Sequence, residues 1–275
     1  MEQKGDKDIL LDYLPSFKKW HVSALVYLSQ LLLFISIIVS FYLISSYVLV
    51  GALIFQTIIS FLGVLPYRYM SKNSEKIQKK YLKKYGNLAI QSLWFHYESY
   101  TVPLLSSSLY FPLILVNYDF IPSIINSQSD FLVNSLLPFY VSIPISLFII
   151  FFAIKIRKPS GGFDAIVESY IYLIYPKKGK LIADGIYRYI RHPRYLGRTL
   201  IALGLAIIAN NILAILVAGI HSFAFLSLIP SEDNELARRF GDDFRSYKER
   251  VPALIPRYGN WRKFVRYVFY SDKGV

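Results

Sequence analysis

Apolar and cationic positions segregate along this chain into long blocks. No Lys or Arg occurs within residues 20–67, 85–154 or 199–237, and Leu, Ile, Val, Phe and Tyr dominate these stretches. A helix needs about 20 apolar residues to cross a bilayer, so the first two stretches each have room for two crossings. The first reads as helices near Val22–Ile44 and Tyr47–Pro66, joined at the polar pair Ser45-Ser46. The second reads as one helix ending near Val116 and another from about Phe131 to Ile154. Their connection, 117–130, holds Asp119, Pro122, Asn126, Ser127 and Asp130 but no cation. The third stretch is tighter. Leu196–Ala209 is 14 residues, about 21 Å as a helix against a hydrocarbon core of about 30 Å. Asn210-Asn211 reads as a turn, and Ile212–Ile229 runs back to Pro230, which predicts a helical hairpin anchored on one face.

The cations fill the intervals: four in residues 1–19, seven in 68–84, ten in 155–198 and ten in 238–275. Each pair of crossings returns the chain to the side it left, so all four blocks share one face, which the positive-inside rule makes cytoplasmic. Residues 1–19 mix Glu2, Lys4, Asp6, Lys7, Asp8 and Asp12, with no small-residue cleavage site after the first apolar run. That first run is therefore expected to stay as a membrane helix.

Composition agrees. Of 275 residues, 54% are hydrophobic and 18% charged, with a mean hydropathy of +0.38. A soluble domain averages about 25% charged. The net charge of +13 would suggest nucleic acid on a soluble chain; here it flanks membrane segments, and no nucleic-acid partner is expected. The absence of cysteine excludes disulfides, thiolate nucleophiles and Cys-based metal sites. His21, His96, His192 and His221 are too scattered for a metal centre, so no metal is expected. The fold class is thus all-α: a polytopic membrane bundle of four spanning helices plus a C-terminal hairpin and cytoplasmic segments. It divides into 1–154, the N-terminal transmembrane helices, and 155–275, the C-terminal region.

Residues 155–195 are more than a solvated connection. Ser160-Gly161-Gly162 reads as a flexible turn and Asp164–Tyr175 as an interfacial helix. Lys177 to Tyr187 follows, and then Arg191-His192-Pro193-Arg194-Tyr195-Leu196-Gly197. Proline suits the first turn of a helix, which predicts a start at Pro193 or Arg194 with His192 near the cap. A helix N-terminus is an anion site, and Arg191 and Arg194 add full charges. Gly197, one turn in, admits a ligand or a neighbouring backbone. Tyr187 and Tyr195 offer flat faces to an aromatic ring or a cation. The same residue types also anchor headgroups at a membrane boundary, so the loop alone leaves both readings open.

A second polar patch follows the hairpin: Ser231-Glu232-Asp233-Asn234-Glu235-Leu236, continuing through Gly241 to Val251-Pro252 and Ile255-Pro256-Arg257. As local structure it reads as an amphipathic helix capped by Ser231, with acidic residues in its first turn and a first segment closed by Gly241. The hairpin returns Glu232 and Asp233 towards the Arg191–Tyr195 loop.

Together, G-I-Y-x-x-x-R-H-P-x-Y-x-G, the hairpin, and E-D-x-x-L-x-x-x-F-G-x-x-F-x-x-Y-x-x-x-V-P-x-x-I-P resemble the isoprenylcysteine carboxyl methyltransferase family. Its wider group includes membrane phospholipid N-methyltransferases. The match runs from about Leu181 to Arg257, a little over a quarter of the chain. The resemblance implies S-adenosylmethionine bound at the cytoplasmic end of the last helices and a lipophilic methyl acceptor arriving from the bilayer. That acceptor would be a prenylcysteine carboxylate or a phospholipid- or isoprenoid-like headgroup. By position the cofactor contacts are Lys180, Leu181, Ile182, Tyr187, His192, Pro193, Tyr195, Gly197, Glu232 and Asp233, with Arg191 and Glu232 closest to catalysis.

Methyl transfer from a sulfonium is an in-line displacement with a neutral leaving group. Alignment alone can be worth about 7–11 kcal/mol, so no triad-like machinery is expected. An amine acceptor would have to lose a proton, for which Glu232 or Glu98 are candidates. Glu98, with His96 beside it, is an ionisable residue in a membrane-helix stretch and hence a functional candidate, unless that half of the run lies on the surface. Members acting on prenylcysteine often carry an arginine one turn before the acidic pair; here that turn is Ser227-Leu228-Ile229-Pro230, which puts this substrate in question. Two other classes stay open: a membrane NADPH-dependent sterol or enone reductase-like enzyme, which shares a related hairpin, and a non-catalytic membrane scaffold or transporter.

Overall fold

The computed structural model describes residues 13–47, 49–106, 108–120, 132, 134–160, 163–176 and 180–270. Several expectations fall outside them: the acidic and basic residues 1–12, the connection from Pro122 through Asn126 and Ser127 to Asp130, the Gly161-Gly162 turn and the Lys177–Gly179 stretch. Among the described residues the fold is helical. Helices α1 (Trp20–Tyr47) and α2 (Leu49–Lys72) form the first pair. Helix α3 (Ser74–Tyr85) is short and amphipathic, α4 spans Ala89–Ser106, α5 Tyr110–Asn117 and α6 Phe139–Arg157. Helix α7 (Phe163–Ile174) leads to the hairpin α8 (Pro193–Ala209) and α9 (Ile212–Leu226). Then come α10 (Ile229–Arg250) and α11 (Trp261–Tyr270), a helix the sequence reading left unassigned.

Among the described residues, four segments are long and apolar enough to cross a membrane: Trp20–Ile44, Val50–Lys72, Phe139–Arg157 and Ile212–Arg250, of which α9 is the apolar part. Three coincide with expected crossings, and the fourth is the return arm of the hairpin. The remaining expected crossing, the one ending near Val116, is broken into α4 and α5. Pro112 lies in the first turn of α5, where a missing N–H is harmless; deeper in a continuous helix it would remove a hydrogen bond. The break is satisfied from α2. Gln56, fully buried, accepts from Ser108 Oγ (3.0 Å) and the Leu109 N–H (2.9 Å) and donates to Ser60 Oγ (2.7 Å). Irregular backbone at membrane depth survives only with such partners.

Helix α6 begins at Phe139 rather than near Phe131, because Pro138 sits at its N-cap in an extended conformation. The residues just before it pair with the hairpin tip. Asn210 is left-handed (φ 56°). Its carbonyl accepts from the Leu136 N–H (2.9 Å) and its side chain exchanges two hydrogen bonds with Leu137 (3.0 and 2.6 Å). Asn211 caps α9 through the Ala214 N–H at 2.8 Å. The tip is thereby fastened to the start of α6.

Helices α6 and α8 pack along a seam of small residues: Ser142, Ser146 and Ala153 against Gly197 and Gly204, with Ser146 Oγ donating to the Gly204 carbonyl at 2.6 Å. Small residues let membrane helices approach closely. A Cβ on Gly204 would lie 2.5 Å from Ile150 Cγ1, and one on Gly197 2.3 Å from Arg157 Cγ and 3.1 Å from the Ala153 carbonyl. Of the two uses open to Gly197, the structure takes the close helix.

The basic segments meet at one end of the bundle. The Ser16 N–H bonds Gln91 Oε1 (2.8 Å), Gln78 bonds the Ile174 carbonyl (2.8 Å), Arg238 bonds the Ser71 carbonyl (2.6 Å) and Arg191 bonds the Lys248 carbonyl (3.1 Å). The Asn117–Ser135 bond and the hairpin tip lie at the other end. Exposed Leu28, Leu31, Leu32 and Ile35 on α1 and Phe148 and Phe151 on α6 form a sheath suited to lipid.

Valine at Gly204 is expected to lower the thermal unfolding temperature in detergent, by roughly 1–3 kcal/mol of overpacking. Alanine at Gly219, where nothing lies within 4 Å, is expected to be neutral or slightly stabilising. Equal effects would show that the α6–α8 seam is not tightly packed.

Candidate functional site

The site is built where α8 begins. His192 is its N-cap and Pro193 occupies the first turn, as expected. What fixes this loop is the V-P-A segment after α10. The backbone N–H groups of Arg191 and His192 donate to the carbonyls of Pro252 and Ala253, both at 2.9 Å. The proline-rich end of the second motif therefore clamps the R-H-P end of the first.

Helix α10 starts at Ile229 with Leu228 as its N-cap and Pro230 in its first turn, and no side chain caps it. Ser231, expected as the cap, lies inside the helix, and its carbonyl accepts from Ser71 Oγ at 2.8 Å. Proline needs no N–H partner, so the helix starts one residue before it without a cap. Gly241 turns left-handed (φ 56°) and kinks α10 where a segment end is expected.

The acidic pair divides its work. Asp233, 4% exposed, accepts from Arg191 Nη2 (2.9 Å) and lies 3.0 Å from His192 Nε2 and 3.1 Å from Lys248 Nζ. Arg191 also donates to the Lys248 carbonyl at 3.1 Å and to the Val251 carbonyl, leaving its side chain 9% exposed. Its guanidinium is thus turned into the fold, towards α10 and the segment after it.

Glu232 is different. Its side chain is 32% exposed, and Oε2 lies 3.6 Å from His192 Nδ1 with no hydrogen-bond partner of its own. Tyr195 and Arg194 flank the same carboxylate. The His192 and Tyr195 rings meet edge to face at 5.5 Å. The two distant patches of sequence are therefore one locus, with His192 bridging a closed carboxylate behind and an open one in front.

Electrostatics follow from this arrangement. Burial works against a charged His192, but the hydrogen bond to Asp233 and the neighbouring Glu232 carboxylate outweigh it and raise its pKa above the ordinary 6.5. Burial likewise disfavours ionised Asp233, yet His192, Arg191 and Lys248 hold its carboxyl well below the usual range. Glu232 is lowered too, since His192, Arg194 and Tyr195 prevail over desolvation.

The remaining expected contacts divide between a rim and the interior. Leu181 packs with Phe244, Tyr247 and Val251, while Lys180 and Ile182 are exposed. Tyr187 sits in the short 3-10 turn Gly185–Arg188, its carbonyl accepting from the Tyr247 hydroxyl at 2.7 Å. Pro193 is buried, and Gly197 faces α6 rather than the rim.

Glu98 is fully buried, not on the surface. Its Oε1 accepts from Tyr67 (2.7 Å) and Tyr170 (2.8 Å), its Oε2 from Thr101 (3.2 Å), and its carbonyl from Gln30 (3.2 Å), so it joins α1, α2, α4 and α7. Sequence reasoning missed Arg198, one turn deeper than Arg194 on α8, and Lys248. The signal for Arg198 was present: a cation inside an apolar helix.

The molecule is thus an all-helical membrane protein with a paired-carboxylate locus at the mouth of a helical hairpin. Residues 138–243 match the phospholipid methyltransferase family. The chain is 34% identical over 93 residues to the protein-S-isoprenylcysteine O-methyltransferase of Schizosaccharomyces pombe, covering 32% of this chain and 39% of that one. It is 35% identical over 78 residues to protein-S-isoprenylcysteine O-methyltransferase B of Arabidopsis thaliana, covering 28% and 40%. With methanethiol S-methyltransferase 1 of Bradyrhizobium diazoefficiens it shares 38% over 82 residues, covering 29% and 26%. These alignments span less than half the length of each relative. No solved structure matches the chain at a significant level. The methyltransferase resemblance read from the motifs holds for the C-terminal region.

The raised pKa of His192 makes its charge a stabilising feature below about pH 6.5 that is lost as pH climbs through its folded value. Asp233 contributes above its ordinary 3.8 and loses that contribution only in stronger acid. The unfolding temperature is therefore expected to fall as pH rises from 6.5, and His192→Gln to flatten that slope. Asp233→Ala, which strands Arg191, is expected to cost about 3–5 kcal/mol. A wild-type profile that rises through this range would contradict the assignment.

Proposed function

We propose that this chain is an integral-membrane, S-adenosylmethionine-dependent methyltransferase acting on a lipophilic acceptor, with its basic face and active site in the cytoplasm. The observation that carries the reading is the half-open Glu232 carboxylate, with an orphaned oxygen, held against His192 and Tyr195 where both motifs converge. The methyltransferase relatives and the cationic end of the bundle support it.

The residues fit such a donor. Glu232 would accept hydrogen bonds from ribose hydroxyls or the ammonium, and the Tyr195 and Tyr187 rings suit the sulfonium or adenine. The N-terminus of α8, with Arg194, suits the carboxylate. The cofactor, when bound, supplies an electrophilic methyl group on a positively charged sulfur. The protein's share is to orient, exclude water and hold charge. His192, locked between two carboxylates, fixes Glu232 in place. Arg191 is a positioning residue that ties the loop to α10, and Asp233 acts with it. A carboxylate acceptor is ionised at neutral pH and needs no base; for an amine, Glu232 is the nearest group able to take the proton.

The acceptor would arrive between α2 and α9. There Val64, Ala224, Phe225 and Leu228 form an apolar cluster flanked by Phe61, Tyr67 and Tyr195. Phe223, packed on Phe61 at 6.3 Å and 65% exposed, lies at its bilayer side.

Titration calorimetry of the detergent-purified protein should register S-adenosylmethionine binding. Glu232→Gln is expected to weaken it at least tenfold, as is the loss of the Tyr195 ring in Tyr195→Ala. Binding of NADPH without S-adenosylmethionine would replace this reading with the reductase one, and wild-type affinity in Glu232→Gln would remove the carboxylate from the cofactor site.

A further inference from the structure

Helix α11 meets two different surroundings. One stripe faces inward: Phe264 is fully buried and Val268 nearly so, in a cluster with Ile156 of α6 and with Ile186 and Ile190 of the segment before α8. Tyr267 packs on the same cluster, and a Cβ on Gly185 would lie only 2.8 Å from its hydroxyl. The Tyr189 ring meets both Phe264 and Tyr267, with centroids 5.9 Å apart in each pair. The helix therefore braces the Gly185–Arg188 turn, which carries Tyr187.

The outward side is different. At helical spacing Val265 and Phe269 form the next strip, and Arg262 and Arg266 the one beyond it. Phe269 stacks on Phe152 of α6 (5.7 Å, 24°) and lies 6.2 Å from Phe151. Phe151 belongs to the lipid-suited face of α6. Lys155 Nζ, 5.8 Å from the centre of its ring, marks the level where hydrocarbon gives way to headgroups. Helix α11 thus runs along the membrane boundary at the cationic end of the bundle. Arg262, Lys263 and Arg266 are exposed, and none has an ion pair or a hydrogen bond among the described residues. No Asp or Glu occurs between Val251 and Tyr270. Other exposed arginines have a carboxylate one turn away, as Arg188 has Asp184 (3.0 Å) and Arg245 has Asp242 (2.8 Å). Helix faces that meet water gain from such pairs. Unpaired cations between Trp261 and Tyr270 instead complement a negatively charged headgroup layer.

We propose that the outer face of α11 binds the headgroups of anionic phospholipids at this end of the bundle, and that the contact holds the Gly185–Arg188 turn in place for the cofactor. The first half stands on the helix alone. The second rests on the methyltransferase reading, which gives the turn its place at the cofactor site. Arg262 and Arg266, one turn apart, present planar forks of donors suited to phosphate oxygens. Lys263 and Tyr270 stand on the neighbouring strip. A zwitterionic headgroup brings its own ammonium and is a poorer match for three unpaired cations, so the face distinguishes lipids by net charge.

The test reconstitutes the full chain in nanodiscs of phosphatidylcholine with or without phosphatidylglycerol. In a Trp20→Phe/Trp94→Phe background Trp261 is the remaining tryptophan. Its quenching by brominated phosphatidylglycerol is compared with that by brominated phosphatidylcholine at equal mole fraction. The anionic lipid is expected to quench at least twofold more. Raising salt from about 0.1 M to about 1 M shortens the screening length from about 10 Å to about 3 Å and should erase most of the excess. Arg262→Gln/Arg266→Gln should abolish it with an unchanged unfolding temperature, and Arg262→Lys/Arg266→Lys should keep most of it. If the tryptophan background does not fold, the ratio of the two lipids co-purifying with the wild-type chain and the glutamine variant, read by mass spectrometry, replaces the quenching. Titration calorimetry in the same discs should show S-adenosylmethionine bound severalfold more tightly when phosphatidylglycerol is present. The glutamine variant should lose that gain while matching the wild type in pure phosphatidylcholine. Equal quenching by the two lipids, or an excess retained in the glutamine variant, would overturn the lipid contact and leave the face to water or to an acidic protein segment. A quenching excess with no change in cofactor affinity would overturn the bracing of the turn alone. Absence of cofactor binding in every disc would end the methyltransferase reading and the bracing with it, while a quenching excess would still support the lipid contact.

Discussion

The site depends on one buried carboxylate. Asp233 takes a guanidinium from Arg191, an imidazole from His192 and an ammonium from Lys248, all within 3.1 Å. These groups come from the start of α8 and from both ends of α10, so one acidic side chain fixes where two motifs separated by the whole hairpin meet. A buried ion pair of this kind adds little net stability compared with an apolar replacement. Its value is geometric. Because Asp233 pairs with Arg191 Nη2 and with His192 Nε2, the Nδ1 side of the imidazole is left to face Glu232, which stays half-open beside it.

The rest of the bundle keeps that junction in register at membrane depth. Small residues let α8 press against α6, and Asn210 fastens the far tip of the hairpin to the residues before α6. Polar groups in the interior are placed in pairs or networks, with Gln56 closing the break between α4 and α5 and Glu98 collecting two tyrosine hydroxyls. In hydrocarbon an unsatisfied group is expensive. Among the described residues the exceptions include Glu232 Oε2 and Arg191 Nε at the mouth of the site, and Thr199 Oγ1 and His221 Nδ1 on the hairpin.

Much of this was legible in the order of residues. Stretches without cations located the first two helices and the hairpin within a few residues, because membrane solvation acts on each segment separately. Pro193 announced the start of α8 for a similarly local reason. The readings that failed were those in which a distant partner decides. The crossing near Val116 is broken because Gln56, on another helix, makes the break tolerable. The start of α6 moves to Phe139 because Asn210 claims the preceding backbone. Ser231 is not a cap because Pro230 lets the helix begin earlier.

Sequence alone determined the membrane character, the helical elements, the clustering of charge and the two motifs with their methyltransferase resemblance, since composition, period and spacing are properties of neighbours along the chain. The tertiary structure decided how those residues divide their work. It turned Arg191 inward and Gly197 towards α6, made Asp233 the anchor and Glu232 the open group, and buried Glu98 in a network. It also left His221 Nδ1 buried beside Phe225 without a partner. Each of those outcomes depends on which groups desolvate one another, and that is set only when helices far apart in sequence close on the same few ångströms of space.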